Sequence, residues 1–465
     1  WSSDDEKPWQ IRGGIGIFTG RIPFVWISNQ YSNTGVEVAR LDVRTTSTDT
    51  LRFDPNLNPL DSSFYKRVGN ITELNVTAPD FKMPQSLRID AAVDKEVADG
   101  LFVTLEGLYS RNLNDIYYRD INLGDRRDTT ALGSRLPGGR GVYGTYSGRN
   151  TTPRTQVGSF GSGPFTNIIQ LGNTSQGYSY MFSAQAKKNF ESGWFASVFY
   201  TYGRSFDQNS GLSSQAISQW RFNHTPDNPN ELPVTPSLFD IPHRFVVSLS
   251  KRFEYGGGYA TTISAFYELR SGRPFSYVYD GDLNADGQTE NDLMYVPKDN
   301  SDILLGRVVT LGSGANRRDS LARSSATTYS QFNSYIDRDP YLSTVRGQIA
   351  ERFSAREPFV HQLDLRLAQE IPNPFVEGHR LEITVDCINF LNLVNNTWGR
   401  VQTVNNNRDL LLRFEGLVTP TMVQDGTANA AVGTPIFSYT DKKNPYGYDD
   451  LLSRYQLQVG VRYSF

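Results

Sequence analysis

Residues 86–111 read SLRIDAAVDKEVADGLFVTLEGLYSR. Leu87, Ile89, Ala91 and Val93 alternate with polar side chains, Asp99 and Gly100 interrupt, and Leu101, Val103, Leu105, Gly107 and Tyr109 resume the alternation. A period of two places one class of residue on one face of a strand. Asp-Gly supplies the positive φ that a tight hairpin turn requires. The stretch is predicted to be a β-hairpin whose arms run roughly 10 to 13 residues, longer than globular strands and matched to a tilted bilayer crossing.

The same unit recurs three times. Residues 177–206 carry Tyr178, Tyr180, Phe182, Ala184 and Ala186, a turn from Asn189 to Gly193, then Trp194, Ala196, Val198, Tyr200 and Tyr202. Residues 243–272 carry Phe245, Val247 and Leu249, a glycine-rich turn, then Tyr259, Ile263, Ala265, Tyr267 and Leu269. In residues 361–392, Leu363, Leu365 and Leu367 answer Leu381, Ile383, Val385 and Cys387. With WQIRGGIGIFT (9–19) and YQLQVGVRYSF (455–465), the chain is predicted to hold about ten strands.

The connections sharpen the reading. Short turns at 97–100, 189–193, 254–258 and 372–378 alternate with long segments at about 20–85, 114–175, 207–243, 271–358 and 392–454. Tight turns at one end and bulky loops at the other are the pattern of an outer-membrane barrel, with short periplasmic turns and long extracellular loops. The long segments are rich in Gly, Ser, Asn and Thr, which suits disordered linkers as well; their Tyr and Phe favour loops that pack on one another. The tenth strand then ends on the periplasmic side, with Phe465 in the interfacial aromatic girdle. Trp194, Tyr200, Tyr202, Tyr267 and Tyr463 are assigned to girdle and lipid-facing packing ahead of a ligand-stacking platform.

Composition agrees and excludes other classes. No run of about 18 apolar residues exists, so a helical span is excluded. A barrel needs only alternate residues to face lipid and tolerates a mean hydropathy of −0.46. A net charge of −3 leaves no basic footprint for nucleic acid. The single cysteine, Cys387, lies in an alternating stretch and reads as a small buried hydrophobe. His224, His243, His361 and His379 show no zinc spacing. With no G-x-S-x-G and no phosphate loop, no enzyme is expected.

One segment points to a metal. In DGDLNADGQTENDL, Asp282, Asn284 and Asp286 alternate and Gly287 follows, the opening of a calcium loop. Ca²⁺ takes several oxygens at about 2.3–2.6 Å, and the Gln288 carbonyl falls at the next ligand position. The twelfth position is Leu293, so a carboxylate from Asp292, Glu290 or a remote loop has to replace the usual Glu. The other reading is a solvated acidic turn without metal. If present, the structural Ca²⁺ is expected to stiffen an extracellular loop.

IRGGIGIFTGRIPFVWISNQYSNTGV (11–36), DIPHRFVVSLS (240–250), YELRSGRPFSYVY (267–279), DLNADGQTENDLMYVP (282–297) and HQLDLRLAQEI (361–371) together resemble the barrel of Oar-like TonB-dependent receptors. The likeness covers nearly the whole chain. It implies a barrel of about 22 strands around an N-terminal plug, cargo binding by extracellular loops, passage through a plug-gated lumen, and coupling to TonB. Residues 1–465 would then be the C-terminal part of that one domain, with plug, TonB-contacting segment and remaining strands as partners outside this chain, beside outer-membrane lipid. The opening WSSDDEKPWQ, lacking a starting Met and a signal sequence, fits that expectation. The rival on the same fold is a structural, secretion-docking or adhesion protein without nutrient uptake, engaging a surface lipoprotein or secretion partner. A soluble β-rich carbohydrate-binding domain is the rival from another class, and it should dissolve without detergent.

Overall fold

The structure, a computed structural model, describes residues 7, 9–34, 73–157, 165–313, 317–373, 375, 376 and 378–465. Most of the first long segment (35–72), including Gly35 and Val36 of the family-like stretch, lies outside the described residues.

Ten strands form one antiparallel meander in chain order. They are β1 (Trp9–Thr19), β2 (Gln85–Ala98), β3 (Leu101–Asp120), β4 (Tyr178–Asn189), β5 (Trp194–Asp207), β6 (His243–Gly256), β7 (Tyr259–Arg270), β8 (Val360–Pro372), β9 (Arg380–Ile388) and β10 (Gln456–Ser464). Among the described residues the sheet does not close, and β1 and β10 stand at its two ends. The turns match the sequence reading: Asp99-Gly100 closes β2–β3 with Gly100 at φ 68°, and Gly257-Gly258, both at positive φ, close β6–β7.

The register shows why the dyad period is needed. One row runs Ile11, Val93, Leu105, Ala184, Tyr200, Phe245, Leu269, His361 across eight strands. A second runs Trp194, Lys251, Ile263, Leu367, Val385, Val459. Ile11, Leu105, Ile263, Leu367 and Val459 are exposed, so this face carries apolar side chains outward. Lys251 belongs to the same face but lies near the short-turn end, its ammonium 5.6 Å from the Trp194 ring and 5.4 Å from that of Phe253, as a snorkelling lysine does. Tyrosine–histidine pairs mark both ends of the outer face. Tyr200 and Tyr267 hydroxyls lie 2.9 Å from the His243 and His361 Nδ1 atoms, and Tyr463 lies 2.7 Å from that of His379 beside Phe465.

The opposite face is ionic. Arg12 pairs with Asp94 at 3.1 Å and Glu106 at 3.4 Å, Arg244 with Glu268 at 2.6 Å, Arg252 with Glu370, and Arg366 with Asp386 at 3.6 Å. Two layers around a dry core, the arrangement of a soluble sandwich, would leave no place for this ladder.

Two features differ from the sequence reading. β3 continues to Asp120, past the expected end near residue 113, because its last six residues pair with residues 169–174. The polar look of this stretch masks a strand that rises above the bilayer and is buried by loop residues. Helices also appear in the long segments, at Phe24–Ser32, Ala216–Arg221, Ala326–Arg338, Phe390–Val394 and Pro420–Gln424. Among the described residues none is long and apolar enough to cross a membrane.

The molecule's dry core therefore sits in the loops. A six-stranded mixed sheet orders Arg318–Arg323, Leu304–Leu311, Pro435–Tyr439, Arg408–Leu417, Pro274–Asp280 and Ala355–Arg356. Phe275, Tyr277, Tyr279, Phe332, Leu412, Phe414 and Phe437 pack between it and the helix Ala326–Arg338. Here the expectation of loops that pack on one another is met. Arg352, fully buried, fastens this crown to the top of β5 through Asp207 Oδ1 at 2.7 Å and the carbonyls of Asp207 and Gln208.

Candidate functional site

The five residues singled out as candidate ligands lie in one buried turn that follows the crown strand Pro274–Asp280. Asp282, Asn284, Asp286, Gln288 and Asp292 are each at most 5% exposed. The chain reaches this compactness through left-handed backbone at Ala285, Gly287 and Glu290, with Gly287 so close to Pro153 that a Cβ would stand 2.8 Å from its ring. Asp282 accepts from the Asp286 amide at 3.1 Å, the Gly287 amide at 2.9 Å and the Thr151 hydroxyl at 2.5 Å. Asp286 accepts from the Gln288 amide at 2.7 Å and from the Asn284 and Asn291 side chains at 3.2 and 2.9 Å. Asp292 accepts from the amides of Leu283 and Asn284 and binds Arg140 Nη1 at 2.6 Å. Glu290, the other carboxylate considered, turns away to Arg408.

Three loops meet here. The β3–β4 loop contributes Arg140, Tyr143, Tyr146 and Thr151; Tyr143 N–H donates to the Asn284 carbonyl at 2.8 Å and Tyr146 O–H to that of Leu283 at 2.8 Å. From the β5–β6 loop, Thr225 bonds through its backbone to Asn291 and Leu293, and Asp227 accepts from the Asn284 side chain at 3.4 Å. The turn itself belongs to the β7–β8 loop. None of these partners was legible beforehand, because Arg140 stands 152 positions from Asp292 and an arginine in a Gly-rich loop carries no local mark.

Three buried carboxylates face one guanidinium. Burial, reinforced by Asp286 and Asp292, pushes the Asp282 carboxyl well above its ordinary range. Burial, and then Asp292, push Asp286 up to about 7. Burial also raises Asp292, against the pull of Arg140. Among the described residues no three His, Cys, Asp or Glu side chains form a metal-ligand set by themselves. Any cation here must draw on amide and backbone oxygens too, as the D-x-N-x-D-G pattern does.

Below the crown, the charged face of the sheet forms a concavity of about 440 Å³ lined by Ser248, Ser264, Phe266, Asp364, Arg366 and Asp386.

A buried histidine nearby gives a pH prediction. Ser276 Oγ accepts from the Phe353 amide at 3.0 Å and shares a hydrogen bond of 2.7 Å with His224 Nδ1, its direction set by the imidazole tautomer. Burial, with the Arg408 and Arg352 cations beyond, lowers His224 to about 3. Between that value and about 6.5 the unfolded chain binds a proton that the folded one refuses. The stabilisation is complete above about pH 6.5 and falls as pH drops, by up to ~1.4 kcal/mol per unit. Protection factors at residues 223–226, taken against the intrinsic exchange rate at each pH, should fall correspondingly between pH 6.5 and 4.5, and His224→Gln, whose amide does not titrate, should flatten the slope. An unchanged slope in that variant would assign the effect elsewhere.

No curated protein matches the sequence. Among solved structures, the outer membrane transporter YddB from Escherichia coli aligns at a TM-score of 0.36 and 11% identity, over 86% of this chain and 35% of its own. The chain thus spans about a third of that protein's length. The model of the family described as outer membrane beta barrel domain matches residues 1–410, most of the chain. Its strands, girdles and ionic inner face are those of a barrel in the Gram-negative outer membrane, and the chain belongs to the outer membrane beta barrel domain family.

Proposed function

We propose that this chain forms part of the wall of an outer-membrane transporter, in which the loop crown captures cargo above a water-filled lumen. The observation that carries the reading is the set of Arg–carboxylate pairs on the inner face of β1 to β3 and of β6 to β9. Charges within a membrane are costly unless they line an aqueous path. Among the described residues β1 and β10 do not pair with each other; a wall completed by further strands would satisfy such edges, since unpaired backbone groups in hydrocarbon cost several kcal/mol each. On the resemblance to Oar-like receptors, a plug fills the lumen and TonB moves it.

The test is reconstitution, in planar bilayers, of the assembly that carries this chain in the outer membrane. Urea that unfolds a plug while sparing the barrel should open an ion conductance, and Arg366→Glu should shift its selectivity towards cations. An assembly that stays closed, or whose selectivity ignores residue 366, would favour the adhesion or secretion-docking role, for which the folded crown offers a surface. Closure of β1 directly on β10, seen by cross-linking, would remove the multi-strand wall.

A further inference from the structure

The acidic turn carries more negative charge than its surroundings neutralise, and a second observation says what is missing. Asn291 is 1% exposed, and its Nδ2 donates to Asp286 Oδ2 at 2.9 Å. Its Oδ1 is buried with no hydrogen-bond partner. An orphaned amide oxygen in a fully enclosed polar cluster calls for a donor or a cation. Among the described residues no donor reaches it, and the other end of the same amide, Nδ2, faces a carboxylate of a D-x-N-x-D-G turn.

We propose that this turn binds one Ca²⁺, held by the side-chain oxygens of Asp282, Asn284 and Asp286, the Gln288 carbonyl and the Asn291 amide oxygen. A half-turn of the Asn291 amide exchanges its nitrogen for its oxygen, bringing Oδ1 to the place from which Nδ2 now reaches Asp286. A cation between them then converts a donor–acceptor pair into two ligands. Asp292 acts one step outward: Arg140 holds one of its oxygens, and the other fixes the amides of Leu283 and Asn284, setting the curvature of the turn. Hard oxygen donors with two carboxylates, two amides and a carbonyl suit Ca²⁺, whereas Mg²⁺ demands a tighter octahedron and keeps its water.

The position gives the ion its consequence. Thr151 donates to Asp282, Asp227 accepts from Asn284, and Thr225 pairs with Asn291, so the ion's own ligands are bonded to the other two loops. Binding therefore orders the β3–β4, β5–β6 and β7–β8 loops together, as a clasp of the crown that the proposed transport role does not require.

The experiment uses the full assembly that carries this chain, refolded from inclusion bodies, free of lipopolysaccharide and stripped of metal by chelator. Calorimetric titration with CaCl₂ should show one site per chain with a Kd of about 10⁻⁴–10⁻³ M, the range of extracellular sites. Limited proteolysis within 140–157 and 282–293 should slow at least tenfold at 5 mM Ca²⁺ (~ a few Kd), while equal Mg²⁺ gives little protection. Asp286→Asn and Asn291→Ala should each weaken binding about tenfold or more, with the barrel's heat-modifiable band on gels reporting that both variants fold. Absence of a calcium heat up to about 10 mM, or wild-type binding in Asp286→Asn, overturns the proposal. Binding without any change in proteolysis overturns the clasp.

Discussion

Arg140→Met is expected to loosen the loop crown by about 3–5 kcal/mol while leaving the barrel intact, the usual cost of breaking a buried ion pair from one side. Arg140 and Asp292 are both fully buried. The guanidinium also donates to the carbonyls of Thr225, at 3.3 Å, and Leu293. Methionine fills much of the same space but strands the Asp292 carboxylate beside Asp282 and Asp286 and orphans the Leu293 carbonyl, while that of Thr225 keeps the Leu293 amide. Hydrogen exchange should show residues 282–296 and 140–146 opening together, with β2 to β9 unaffected. Adding Asp292→Asn should recover part of the loss, since the amide oxygen still accepts from Leu283 and Asn284 without the charge. If the double variant is no better than Arg140→Met alone, repulsion among the carboxylates is not the cause.

The second large effect separates the two faces of one strand. Leu249 and Ser248 are neighbours in the middle of β6, Leu249 in an outer row between Ala196 and Ala265, Ser248 on the inner face between Ser197 and Phe266. Leu249→Arg places a cation in hydrocarbon near mid-depth and should destabilise by about 2–4 kcal/mol. Ser248→Arg enters the aqueous, charge-bearing side and should change stability by less than about 1 kcal/mol. Urea titrations of folding into lipid vesicles give both numbers directly. Equal losses at the two positions would mean that lipid does not distinguish the faces.

These two cases also show what the sequence could reveal. The alternation that puts Leu249 out and Ser248 in is local, fixed by the geometry of any extended chain, so all ten strands and their short turns were readable without a partner in view. The calcium-loop pattern around Asp282, Asn284 and Asp286 was readable for the same reason. Arg140, Thr151, Asp227 and the stranded oxygen of Asn291 were not, because they acquire meaning only when three loops meet. The helix Phe24–Ser32 was missed because its apolar residues serve a tertiary site: Trp26 packs edge-on to Tyr118, and its Nε1 donates to the Ser213 carbonyl at 2.8 Å. The end of β3 was misjudged because Asn112–Asp120 looks like loop sequence until Asn167–Thr174 lies beside it.

The convergence of three loops on one turn bears on how such a surface can diversify. Grafting the β7–β8 loop alone onto a related barrel would carry Asp292 away from Arg140, and transplanting the β3–β4 loop would do the reverse, leaving an ion behind in each recipient. Viable recombinants have to inherit both segments at once. New specificities should therefore arise by point changes at solvent-facing loop positions such as Thr129 and Arg135, and seldom by exchange of single loops.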